Sequence, residues 1–245
     1  MQANPDKFQV LAVGKKTCKE NICFKIGDIE LKAVDDDVKL PGLNIDPLLN
    51  FDKHIKNICQ KASRQANALG RIHVAKHLTP ECRKAIYYSF ILSNLNFCAL
   101  VWHFCSKANT KKLEKVNHPA LCFVYQDFNA TYEDLLSKSN SRSLELSRIK
   151  MVAIETFKIL NGIGPCYMKD FISEKQNSYH FRYSKLLDKP QTKTVRYGTN
   201  SFKSLAATTW NSLPDHFRTA TSLPQFKTMI RKWNGQECRC ALYRC

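Results

Sequence analysis

The stretch DKHIKNICQKASRQANALGRIHVAKHL at residues 52–78 decides the fold, because the periodicity of the chain changes there. Its apolar residues Ile55, Ile58, Cys59, Ala62, Ala66, Leu69 and Ile72 recur at spacings of three and four, the pattern of an amphipathic helix. At about 100° per residue they gather on one side, while Lys53, Lys56, Lys61, Arg64 and Arg71 gather on the other. The stretch reads as a helix that packs on one face and carries a basic stripe on the opposite one. A solvated face explains such a stripe on an isolated helix, so its meaning rests on its surroundings.

Upstream of residue 52 the pattern is that of short strands. FQVLAV at 8–13 is one, and the runs 22–26 and 29–34 flank Gly27-Asp28 as a hairpin with a polar two-residue turn. The acidic run Asp35-Asp36-Asp37 then leads to a further strand over 38–45, in which Pro41 removes a backbone donor.

Downstream the signals are helical. Thr79 as N-cap and Pro80 at the first position open a helix through Ala85, Ile86 and Phe90. The aromatic segment 94–105 is expected to form core. A third helix is expected to start after Asn109-Thr110, with His118-Pro119 kinking or breaking it. A helix over 144–160 stops at Asn161-Gly162, and residues 165–197 read as irregular with a strand near 179–183. A helix over 200–212 ends before Pro214. Ser222-x-x-Gln225 then reads as a capping box for a last helix with Phe226, Met229, Ile230 and Trp233 on one face and Gly235 as its stop.

With 44% hydrophobic and 24% charged residues in 245, the chain can bury a core, and disorder as the default is excluded. No apolar run reaches the ~18 residues of a membrane span, and the start MQANPDKFQV has no secretory pattern, so an intracellular protein, of nucleus or cytoplasm, is expected. The net charge of +17 is uneven: residues 1–50 carry 7 basic and 8 acidic side chains, residues 51–150 carry 16 and 7, and residues 151–245 carry 15 and 6. A basic field that begins near residue 51 suits a polyanion such as nucleic acid.

Eleven cysteines, an odd number, read as mostly reduced thiols, with Cys59, Cys82, Cys98 and Cys122 expected in apolar surroundings. Cys238, Cys240 and Cys245 crowd together as three ligands where a closed zinc site takes four, so a reduced tail is expected and no metal ligand is assigned. Gly14-Lys15-Lys16-Thr17 has Gln9 where a phosphate loop needs its first glycine, and reads as a strand-end turn. His73 and His77 share a helical face without the glutamate of a metalloprotease helix, and no Gly-x-Ser-x-Gly occurs.

Longer strings then add a family likeness. GLNID at 42–46, LNFDKHI at 49–55 and ICQKASRQANALGRI at 58–72 resemble the join between palm and thumb in reverse transcriptases of non-LTR (LINE-like) retrotransposons. SNLNFCALVWHFCS at 93–106, KLEKV at 112–116, YEDLL at 132–136, YGTNSF at 197–202, WNSLP at 210–214 and FKTMIRKWNG at 226–235 are similar to the thumb and post-thumb region of the same family. The likeness implies an α+β chain in three parts. Residues 1–48 would be a partial palm with a primer-grip-like hairpin, residues 49–165 a helical thumb, and residues 166–245 a C-terminal helical region with a cysteine-rich tail. It also implies an RNA or DNA template–primer duplex as partner, with Lys53, Lys56, Lys61, Arg64 and Arg71 as candidate phosphate contacts. No membrane and no small-molecule substrate are implied.

The family's polymerase chemistry needs carboxylates that hold two Mg²⁺ ions, supplied by an aromatic-x-Asp-Asp hairpin that this sequence does not contain. Val34 precedes Asp35-Asp36-Asp37, which reads as a solvated turn. No catalytic residue is therefore assigned, no cofactor is expected for this chain, and Mg²⁺ would belong to an intact polymerase. At most, non-specific nucleic-acid binding is expected. Two other readings fit the same residues: the product of a decayed element, or a protein-interaction module built on the aromatic segment 97–104.

Overall fold

The structure, a computed structural model, describes residues 8–14, 23–27, 29–71, 77–139, 142–175 and 185–235. It is a mixed α+β fold, mostly helical, in two compact units, Met1–Leu135 and Leu136–Cys245.

The first unit opens with β1 (Val10–Leu11), β2 (Cys23–Ile26) and β3 (Ile29–Val34) in the order β1-β3-β2. β2 and β3 form the expected hairpin, with Ile26 opposite Ile29 and Gly27 at φ +60° in the turn, a conformation glycine adopts without a Cβ penalty. The register puts Phe24, Ile26, Ile29 and Leu31 on one face, and the first three are exposed. β4 (Val38–Leu40) and β5 (Leu43–Ile45) correct the single strand expected over 38–45: they are a second hairpin, turning at Pro41-Gly42. Pro41 costs no ladder bond there, because its fixed φ suits a turn. Gly42 sits at φ +80°, and a Cβ on it would fall 2.3 Å from Phe97 Cε1.

Asp46 folds the link into the first helix. Its Oδ1 accepts from the Leu48 and Asn50 N–H groups at 3.0 Å, and its Oδ2 accepts from the Phe51 N–H at 2.6 Å. These bonds hold Leu49 and Phe51 at positive φ, and Phe51 is buried at the entry to helix α1 (Asp52–Arg71). Helix α2 (Pro80–Ile86) begins as expected, with the Thr79 hydroxyl accepting from the Cys82 N–H. It continues through a π-helical turn over Tyr87–Leu92 into α3 (Ser93–Asn96), and Cys98 at φ +50° redirects the chain into α4 (Ala99–Trp102).

Leu95, Ala99, Trp102 and Cys105 of the aromatic segment are core, but Phe97 and Val101 are exposed. Helix α5 (Lys107–Tyr125) starts at Ser106, whose hydroxyl accepts from the Asn109 N–H, and runs unbroken through Pro119. The expected break is absent: the proline removes one backbone bond, while buried Ala120, Leu121, Phe123 and Val124 hold the following turn in place. Helix α5 packs along α1, whose other side meets the π turn and α3. Ile55, Ile91, Leu95, Trp102 and Leu113 are sealed in this core. Helix α6 (Tyr132–Lys138) follows.

In the second unit, α7 (Leu144–Leu160) packs against α8 (Phe202–Asn211) and α10 (Leu223–Lys232), with α9 (Asp215–Arg218) between the last two in sequence. Helix α7 ends at Asn161-Gly162 as the sequence predicts. The Ile163 N–H reaches Lys158 O at 2.8 Å and the Gly162 N–H reaches Ile159 O at 3.2 Å, closing a Schellman motif around Gly162 at φ +69°. Phe157 and Phe226 stack at 4.5 Å, with Trp210 5.9 Å from Phe226.

The WNSLP string is a structural clamp. Trp210 Nε1 donates to Lys185 O, the Asn211 side chain pairs with both backbone groups of Leu187 at 2.9 Å, and Leu213 is buried. The last helix is capped by Ser222, whose hydroxyl accepts from the Gln225 N–H. The Gln225 carbonyl closes the loop on the Thr221 N–H, one residue earlier than a capping box requires. The expected strand near 179–183 lies outside the described residues, and the described residues of 165–197 hold two short helical turns and a bridge between Glu174 and Leu187.

Candidate nucleic-acid interface

Helices α1 and α5 lie against each other, with Ile55, Ile58 and Ala62 of α1 and Leu113 of α5 buried, and residues of both helices line an open groove of about 940 Å³. Lys53, Lys56 and Arg64 enter it from α1, and Lys112 and Lys115 enter it from α5, over a floor that includes Cys59, Ser63 and Val116. Five cations thus face one carboxylate, Asp52, which is itself engaged by Asn109.

Asn109 fixes the near end of the groove. Its Nδ2 donates to Asp52 Oδ1 at 2.6 Å, tying the first turn of α1 to α5, and its Oδ1 accepts from Lys112 Nζ at 3.1 Å. Deeper in α5, Asn117 is almost fully buried. It accepts from the Tyr87 hydroxyl at 2.7 Å and donates to the Tyr132 hydroxyl at 2.9 Å, and the Tyr132 hydroxyl in turn donates to Glu114. Burial pushes both tyrosine hydroxyls far above their ordinary range, so the two hydroxyls stay protonated and the network acts as a fixed brace under α5.

The structure separates the five side chains singled out in the sequence. Lys53, Lys56 and Arg64 converge on the groove. Lys61 is exposed and absent from the groove lining, because five residues beyond Lys56 it points about 140° away around the helix. The Arg71 side chain lies outside the described side chains. Lys53 is already engaged: its ammonium is 3.3 Å from Asp36 Oδ1 and 3.4 Å from Asp37 Oδ2, and the hydrogen bond it donates to Asp36 holds its pKa above the ordinary lysine value. The acidic turn is therefore not simply solvated.

Sequence reasoning missed Lys112 and Lys115. Their spacing of three on a helix opened by Ser106 puts them on one face, but which face meets α1 is a tertiary fact.

The other expectations fare unevenly. Cys122 is buried and Cys59 half-buried, but Cys82 and Cys98 are exposed, since the helical turns carrying them put only one face inside. Gly14 lies at a bend and its N–H donates to Pro47 O, while residues 15–17, His73 and the three C-terminal cysteines fall outside the described residues. Among the described residues, no three His, Cys, Asp or Glu side chains are grouped to hold a metal ion. The acidic turn does not fit the Mg²⁺ pair of a polymerase, because Asp36 and Asp37 both face an ammonium. No helix among the described residues is long and apolar enough to cross a membrane. No family model, curated protein or solved structure matches the chain.

Proposed function

We propose that the groove between α1 and α5 binds the phosphate backbone of a nucleic-acid duplex without reading its sequence, in the way a thumb domain of a non-LTR retrotransposon reverse transcriptase holds its template and primer. The supporting observation is convergence: two helices separated by more than thirty residues of chain deliver Lys53, Lys56, Arg64, Lys112 and Lys115 to one open groove. From Lys53 to Arg64 the helix rises about 16 Å, which matches roughly five nucleotides of one strand at ~3.4 Å each. Lysine ammonium groups meet phosphates as point charges and carry no base information. Among the described residues, no aromatic ring lines the groove, so single strands find no stacking platform there. Duplexes are favoured for that reason.

Charge reversal on each wall tests the reading. Lys56→Glu with Arg64→Glu, and separately Lys112→Glu with Lys115→Glu, should each weaken binding across unrelated sequences, whereas Lys61→Glu should weaken it much less. A loss of log affinity for Lys61→Glu equal to that of the groove variants per charge reversed would mean that only net charge matters and the groove is not the site.

A further inference from the structure

Resting on that reading of the groove, one contact at its entrance sets two carboxylates of this chain against a groove cation. Asp36 and Asp37 belong to the bend between β3 and β4, and both carboxylates reach the ammonium of Lys53 in the first turn of α1. The Asp36 side chain is 78% exposed and that of Lys53 is 53% exposed, whereas that of Asp37 is 12% exposed. An exposed ion pair such as Lys53 with Asp36 holds weakly and exchanges readily. Nevertheless two carboxylates occupy the one α1 cation nearest the hairpin, at the place where a phosphate of a bound duplex would sit.

We propose that the acidic turn is an internal competitor for the groove: Asp36 and Asp37 occupy Lys53 in place of a phosphate, and a bound duplex gains this fifth contact only by displacing them. The device tunes affinity downward in a salt-dependent manner. Both competitors are anions, but the carboxylates are tethered and the phosphates are not. The duplex therefore has to outbid a permanently present local charge, and a duplex too short to cover the whole groove does not reach it.

Binding of a fluorescent duplex of about 20 base pairs, titrated against salt, distinguishes the possibilities. Asp36→Asn with Asp37→Asn frees Lys53, so the slope of log affinity against log salt should steepen by about 0.9. That corresponds to about 3.5-fold more loss of affinity between about 50 and 200 mM salt. Adding Lys53→Gln to that variant should return the slope to the wild-type value. Glu30→Gln with Asp35→Asn removes the same charge from the same segment without touching Lys53, and should leave the slope unchanged. Asp36→Asn alone, at the more exposed of the two positions, should move the slope in the same direction and guards against a folding defect from Asp37→Asn. Equal slopes for the two double variants, or failure of Lys53→Gln to reverse the change, would overturn the competitor while leaving the groove in place. Absence of salt-dependent binding in every protein, wild type included, would overturn the groove as well.

Discussion

Replacing Asn117 with leucine removes the hinge of the polar network under α5 at nearly constant volume. The Tyr87 hydroxyl, on a ring only 6% exposed, then has no acceptor in place of the Asn117 carbonyl 2.7 Å away. Leaving that donor buried and unsatisfied costs about 1–3 kcal/mol, and losing the bond to Tyr132 costs about 0.5–1.5 kcal/mol more. Tyr132 keeps its bond to Glu114, so the expected total is about 1.5–4.5 kcal/mol. Adding Tyr87→Phe removes the orphaned hydroxyl and should restore about 1–2 kcal/mol, a coupling typical of residues in one hydrogen-bonded network. Hydrogen exchange of the peptide spanning 107–125, followed as a function of urea, reports the stability of α5 and its packing partners directly. A loss under about 0.5 kcal/mol for Asn117→Leu, or no recovery on adding Tyr87→Phe, would refute the brace.

Two further outcomes follow from buried side chains. His54 is buried on α1 and its Nδ1 accepts from the Asn44 N–H at 3.3 Å, while burial depresses its pKa below 6.5. The unfolded chain therefore takes up the proton more readily, so this contribution to stability is complete above pH 6.5 and is lost as pH falls below it. Urea midpoints measured from about pH 8 to 5 should fall more steeply in wild type than in His54→Asn, and parallel curves would rule the histidine out. In the second unit, Phe226→Ala removes the ring stacked 4.5 Å from Phe157 and should cost about 3–5 kcal/mol, read from the fluorescence of Trp210 and Trp233 during denaturation. A cost under about 1 kcal/mol would show that Phe157 and Trp210 close over the gap.

What could be read from the sequence is what local chemistry decides. The caps at Thr79 and Ser222, the glycine stop after Asn161 and the turn at Gly27 depend on side chains within a few residues of one another, and each is where the sequence places it. Features set by tertiary packing were not legible in the same way. Pro41-Gly42 reads as an interruption of a strand until Leu40 is seen opposite Leu43, and Pro119 reads as a helix breaker until the buried side chains beyond it are counted against one missing bond. The candidate site divides similarly. The basic stripe on α1 was visible from spacing, but the angle that sends Lys61 away from Lys56 matters only once α5 defines a groove. Lys112, Lys115 and the pairing of Lys53 with the acidic turn all depend on elements that meet only after folding.

The central claim is that the groove holds a phosphate backbone through Lys56, Arg64, Lys112 and Lys115, with Lys53 engaged by the acidic turn. The most direct test is the salt dependence of the wild-type protein binding to a B-form duplex of arbitrary sequence. At about 0.9 per contact, log affinity should fall against log salt with a slope near −3.6, or about 150-fold between roughly 50 and 200 mM. Reversing all four charges should abolish that dependence. A slope near zero, or a four-site variant that binds as wild type does, would contradict the account.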